Sequence, residues 1–357
     1  MEKLSESHVA PRFDAIQGLR GIAALLVVIS HAIYSLVEKS GWSSVHLGLA
    51  DFLGAFGVKV FFVISGFVMM KSSSESFGIH GASLRFIERR LVRIVPLYWL
   101  TTFIYVLKKL VTGDHVGLAD VVRSLLFIPY RDASGLMQPV YALGWTLNYE
   151  MFFYVLFAIA LIFRFGRGVP LLLLTFCVAI FCGQFVQSSG AVVEDMVYSW
   201  TRPIIGFFML GAILGLTHKY IAAAPWVPRF RFVGLSILIT GVFFVAISTY
   251  FFAPRSYALA FLSTALLVLC ASIPDIDEQD VSFLRSFARL LGDASYSIYL
   301  THSFLVGPLA RIYGALGLQE PMAFIFVSLI GASLLGILIY RHVEQPMIRF
   351  INRKLHG

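Results

Sequence analysis

Charge is scarce in this sequence: Asp, Glu, Lys and Arg together make up 13% of its 357 residues, about half the share found in a soluble globular domain. No segment is long and polar enough to form a second, water-facing domain. Low-complexity linkers and short repeats are also missing, so residues 1–357 read as one unit. Cysteine is rarer still. Cys177, Cys182 and Cys270 all lie in apolar runs, with neither the two-residue spacing nor the histidine neighbours of a zinc site. They read as buried small apolar residues, and neither a metal nor a permanently bound cofactor is expected. The N-terminal "MEKLSESHVAPRFDAIQG" is too polar for a secretory leader, and no small-residue cleavage site follows the first apolar run. The first helix is therefore expected to stay in place as a signal anchor.

What is plentiful is apolar: 58% of residues are hydrophobic, 33 are Phe and 15 are Tyr, and the mean hydropathy is +0.82. A polytopic membrane protein follows. Runs able to cross the hydrocarbon layer fall near 15–37, 50–70, 92–112, 141–163, 169–187, 197–216, 232–252, 255–273, 289–311 and 321–341. The expected fold is an all-α bundle of about ten transmembrane helices. Placing both termini in the cytoplasm puts about nineteen of the 28 lysines and arginines on the inner side. In that topology 1–14 is a cytoplasmic segment and 344–357 a cytoplasmic basic tail. The net charge of +8 then reflects orientation in a membrane and needs no nucleic acid. Between 113 and 140 the pattern "LADVVRSLLFIP" predicts a short interfacial helix.

Several polar residues sit where lipid makes them costly. In "LRGIAALLVVISHA", Arg20 and His31 are eleven residues apart, three helical turns to within about 20°, so they share a face about 16 Å apart along the axis. Imidazole is suited to taking a proton from a hydroxyl near neutral pH. In "RFIERRLVRIVPLYW", Arg90 and Arg93 share a helix face while Arg89 points elsewhere. A two-arginine fork suits phosphate, and four arginines in this stretch exceed what topology requires. "GWTLNYEMFFYVLF" buries Glu150 with Trp145, Thr146 and Asn148; Glu150 either orients His31 or pairs with an arginine. Lys59 reads as a structural partner for a carboxylate. His302, in "LGDASYSIYLTHSF", is either a second proton carrier or substrate contact, or a satisfied core histidine. Glu344 is expected to pair with Arg341 or another basic residue. His46 and Asp51 match an acyltransferase spacing, but so short a coincidence in an outer loop carries no function. Gly211 and Gly215 in "GFFMLGAILG" predict close helix contact inside the protein.

Taken in order, "FDAIQGLRGIAALLVVISHA", "FFVISGF", "RRLVRIVPLYW", "WTLNYEMFFY", "SYSIYLTHSF" and "VEQP" resemble the integral membrane acyltransferase 3 family across nearly the whole chain. The resemblance implies an enzyme of the bacterial inner membrane that moves an acyl group, usually acetyl, from cytoplasmic acyl-CoA to a hydroxyl of a carbohydrate or glycolipid acceptor. By likeness His31 is catalytic, Arg20 is its motif partner, Arg90 and Arg93 face the donor, and Glu150 joins the catalytic set; the phosphates of acyl-CoA are expected near Arg20, Arg90 and Arg93. Trp145, Asn148, His302 and Lys59 are left as acceptor-side or structural positions. The stand-alone branch, which includes exopolysaccharide O-acetyltransferases, fits a chain of this length. A transporter or flippase of lipid-linked saccharide is the competing class, but matched broken spans in two halves are not evident.

Overall fold

A computed structural model describes residues 14–40, 42–43, 46–188, 190–222, 262–266, 268, 283–318 and 320–356. The expected span near 232–252, Cys270 and all of segment 1–14 but Asp14 lie outside the described residues, as does most of the expected span near 255–273. The named elements are all helical: α1 Asp14–Ser40, α2 Leu47–Ser73, α3 Ala82–Val111, α4 Leu118–Leu125, α5 Trp145–Ile162, α6 Phe165–Cys182, α7 Val192–Trp200, α8 Gly206–Ala222, α9 Phe283–Asp293, α10 Ser295–Thr301, α11 Ser303–Ala315, α12 Pro321–Ile339 and α13 Gln345–His356. A single isolated antiparallel bridge, Arg131 to Met137, is the extended pairing seen among the described residues.

Among the described residues, six helices are long and apolar enough to cross a membrane, or seven if α7 and α8, bent by 44°, count as one span. The bend falls at Arg202 and Pro203, where the sequence places its least regular span. Leu107, Phe181, Phe326 and Leu334 are exposed, as expected of a surface solvated by acyl chains. Two corrections concern single elements. Residues 289–311 form α9, α10 and α11 instead of one helix, with breaks at Ala294 and His302. Cys177 and Cys182 are exposed on α6, because a lipid-facing surface accepts a small apolar side chain as readily as a core does.

α2 lies between α1 and α8, and α1 also packs on α9, α10, α11 and α12. The contact of α2 with α8 is a backbone contact. A Cβ on Gly66 would fall 2.2 Å from the Phe208 carbonyl oxygen, and one on Gly211 would fall 2.0 Å from that of Val63. Gly215 meets Met70 and the Phe67 carbonyl in the same way, so the small-residue pattern serves packing inside the protein. Phe62, Phe208 and Phe153 stack in series beside it, with centroids 4.2 and 4.6 Å apart.

The predicted interfacial helix is α4, hung on α3 by Tyr98 donating to the Ser124 carbonyl at 3.1 Å and Trp99 Nε1 donating to that of Leu125 at 3.0 Å. The loop that follows is ordered by Asp132. Its carboxylate accepts from the Ser134 amide and hydroxyl, the Leu136 amide and the Gln138 side chain. Slight burial pushes this carboxyl upward, but those hydrogen bonds outweigh it and hold it below the usual aspartate value. Arg131 ties the loop to α7 through Asp195, 3.5 Å away.

Candidate active site

The helices leave a cavity with about 810 Å³ of space not filled by protein atoms, its open mouth included. Five elements line it. α1 contributes Arg20; α2 contributes Val58, Phe61, Ser65 and neighbours; α3 contributes Arg90, Arg93 and Ile94; α5 contributes Thr146, Glu150 and Tyr154; α10 contributes Tyr296 and Tyr299. Arg90 and Arg93, three residues apart, turn to the cavity together, while Arg89 is exposed on another face. α3 begins at Ala82, so these arginines lie a few turns inside a helix longer than its apolar stretch.

Positive charge predominates among the ionisable residues of the lining. Arg20, Arg90 and Arg93 face a single carboxylate, Glu150, among the lining residues. Glu150 Oε1 accepts from Ser65 Oγ at 3.2 Å and from the Tyr154 hydroxyl one turn away on α5. Arg20 Nη1 donates to the Gln17 side-chain oxygen at 3.3 Å, and Arg90 stands over the rings of Phe86 and Tyr154. Among the described residues, none of the three arginines forms a salt bridge. Three partly exposed guanidinium groups sharing one carboxylate leave an excess of positive charge in the lining, and an anionic ligand entering the cavity offsets it.

Aromatic side chains form another part of the lining. Tyr299 shares a hydrogen bond with Thr146 at 2.9 Å and donates to the Leu143 carbonyl at 2.9 Å, and its ring meets Phe61 at 6.1 Å. One turn past Tyr299, outside the cavity lining, His302 packs against His31. Their ring centroids are 4.9 Å apart, edge to face. His31 Nδ1 lies 3.0 Å from the Val27 carbonyl and His302 Nδ1 lies 3.2 Å from that of Ile298. A carbonyl only accepts, so both rings carry hydrogen on Nδ1 and keep a lone pair on Nε2.

The predicted site residues thus divide into groups. Arg20, Arg90, Arg93 and Glu150 come together in the cavity lining, whereas His31 packs against His302 and is not among those lining residues. Glu150 lies with the arginines and their hydroxyl neighbours, and its two hydrogen bonds do not reach His31. Trp145 packs edge-on against Tyr149 at 5.9 Å. Asn148 is buried, and its side-chain oxygen lacks a hydrogen-bond partner. Lys59 stands 5.8 Å over the Phe207 ring. These three are not among the lining residues. Glu344, within a π turn at Tyr340–Glu344, accepts from Ser297 Oγ at 2.5 Å, and among the described residues it forms no ion pair with Arg341 or any other base. Asp51 lies within α2, not in a loop, and accepts from the Tyr34 hydroxyl. Sequence reasoning did not single out Tyr154, Tyr296 or Tyr299. The signal was available: Tyr154 is four residues past Glu150, and Tyr296 and Tyr299 share a face three residues apart.

Comparison with known proteins gives a consistent result. A family model described as an acyltransferase domain, acyltransferase 3, matches residues 13–341. The chain is similar to the exopolysaccharide production protein ExoZ of Rhizobium meliloti, 34% identical over 301 residues that cover 83% of this chain and 90% of that one. It is also similar to the acyltransferase MdmB of Streptomyces mycarofaciens, 24% identical over 383 residues, covering 96% and 93%. With the O-acetyltransferase OatA of Staphylococcus aureus it shares 22% identity over 374 residues, 97% of this chain but 59% of the relative. No solved structure matches.

Proposed function

The chain belongs to the acyltransferase 3 family, and from that premise we propose that it is a membrane O-acetyltransferase drawing on cytoplasmic acetyl-CoA and acylating a hydroxyl of a carbohydrate or glycolipid. The observation that carries the reading is the cavity with three arginines and no salt bridge to any of them among the described residues. A coenzyme A donor brings several phosphates, and guanidinium groups bind them by charge-assisted hydrogen bonds. A ten-span topology with both termini cytoplasmic, in the bacterial inner membrane, sets the arginines toward the donor pool. The exopolysaccharide role in the name of one relative and the O-acetyl transfer in that of another support a glycan acceptor.

The chemistry assigned to the site is direct. The acceptor oxygen attacks the thioester carbonyl while His31 Nε2 removes its proton. The carbon–sulfur bond then breaks, and the same proton passes to the thiolate. Acetyl has moved, and the histidine ends as it began. The Nδ1–H bond to Val27 fixes the tautomer that leaves Nε2 free for this task. Glu150 serves as the counter-charge that keeps the three arginines in one place, with Ser65 and Tyr154 holding it.

The test is turnover of acetyl-CoA, labelled in the acetyl group, by membranes carrying the wild-type protein or His31→Ala. The variant is expected to lose at least about 10²-fold in kcat, as for removal of a general base, at unchanged membrane abundance. Normal turnover by His31→Ala rejects the assigned base. Acceptor movement across proteoliposomes without any acyl donor would favour the flippase class instead.

A further inference from the structure

Burial makes His302 conspicuous. It is 0% exposed, its Nδ1–H is spent on the Ile298 carbonyl, and its Nε2 has no hydrogen-bond partner. A buried polar atom left unsatisfied is uncommon and calls for an explanation. A phenylalanine of similar volume could fill the same space without that penalty. His302 also sits at the break between α10 and α11, with its ring 4.9 Å from that of His31. The ring of Tyr299, a residue of the cavity lining, lies 6.3 Å from that of His302, so the histidine pair adjoins the cavity.

We infer that His302 is a positioning residue for His31: a neutral imidazole whose idle Nε2 lone pair steadies the positive charge that His31 acquires during transfer. The inference rests on the reading of His31 as the base. When His31 takes the acceptor's proton it becomes a cation in a region poor in water, where a nearby lone pair is worth more than in solvent. His302 can supply that lone pair because the Ile298 carbonyl fixes its tautomer. It gains and loses no proton overall, since the proton taken from the acceptor passes from His31 to the thiolate. This assignment explains why a ring nitrogen is kept without a partner in the resting protein: its partner exists only while His31 is charged.

Three variants separate this role from a structural one. His302→Gln keeps an acceptor within reach of the Nε2 position. His302→Asn keeps a donor for the Ile298 carbonyl but loses the Nε2 acceptor. His302→Phe keeps volume alone. Steady-state kinetics with acetyl-CoA, at membrane abundance checked by blotting, are expected to show kcat about 10²-fold lower in the Asn and Phe variants, the low end of general-base effects. KM for acetyl-CoA is expected to stay within about twofold in both, and the Gln variant should recover most of kcat. The inference is overturned if Asn restores kcat and Gln does not, because that pattern belongs to a residue that only anchors the α10 carbonyl. It is equally overturned if all three variants turn over like the wild type. If His302→Phe fails to accumulate, the Gln and Asn pair still decides. Failure of the parent reading looks different: there, His31→Ala itself remains active.

Discussion

Arg20 lines the cavity and His31, eleven residues further along the same helix, does not. The two share α1 but have different neighbours, Arg20 lying with Arg90 and Arg93 in the cavity lining and His31 packing against His302. Substitutions in the two groups should therefore alter different kinetic constants.

Arg93→Gln is expected to raise KM for acetyl-CoA by about 10- to 100-fold, the loss of a charge-assisted hydrogen bond of about 1.5–3 kcal/mol, and to leave KM for the acceptor unchanged. Initial rates with each substrate varied in turn provide the check. A shift confined to the acceptor's constant would move Arg93 out of the donor site.

Glu150→Gln tests whether the carboxylate serves the arginines or the base. Its hydrogen bonds run to Ser65 and Tyr154, so the change should appear in KM for the donor, with kcat held within about twofold. A large fall in kcat at constant KM would instead tie Glu150 to His31.

Gly211→Ala places a methyl group against the Val63 carbonyl and forces α2 and α8 apart. Overpacking of this kind costs about 1–3 kcal/mol, read as a lower midpoint of thermal unfolding in detergent. Gly307→Ala is the control, since a Cβ there meets nothing within 4 Å, and its midpoint should match the parent or rise. Equal losses in both variants would remove the α2–α8 contact as the cause.

Asp132 makes the loop after α4 sensitive to acid. Its carboxyl is held below its usual value, so the stability it adds is complete above the unfolded value of about 3.9 and is lost as pH falls through the lower folded value. Hydrogen exchange over residues 131–138, corrected for intrinsic rates, should show protection at neutral pH that fades only below about pH 4. Asp132→Asn should weaken that protection at neutral pH and abolish its acid dependence. An unchanged exchange pattern in the variant would assign the loop's order to Arg131 and Asp195 instead.

Hydropathy alone disclosed the helices, because a span must be apolar over most of its length and few other signals compete with that one. It placed α1, α2, α5, α6 and the core of α3 within a few residues, and the spacing of Arg90 and Arg93 disclosed their common face. The breaks at Ala294 and His302 were not legible: both residues keep right-handed helical backbone angles, and neither proline nor glycine marks the positions. Nor was the division of Arg20 from His31. Helical phase fixes which side of α1 a residue occupies, but the depth of a cavity depends on what other helices insert, here Tyr299 and Phe61. The tyrosines of the lining escaped attention because in an aromatic-rich membrane sequence a phenol resembles any interfacial ring until its hydroxyl is seen to have a partner.

The glycine contact between α2 and α8 also bears on how a ligand enters. Two backbones that touch leave no slack for sliding or tilting, so the flank carrying Val58, Phe61 and Ser65 behaves as a fixed jamb. The compliant side of the doorway is built from the long, partly exposed guanidinium side chains of α3, which can swing without disturbing any helix axis.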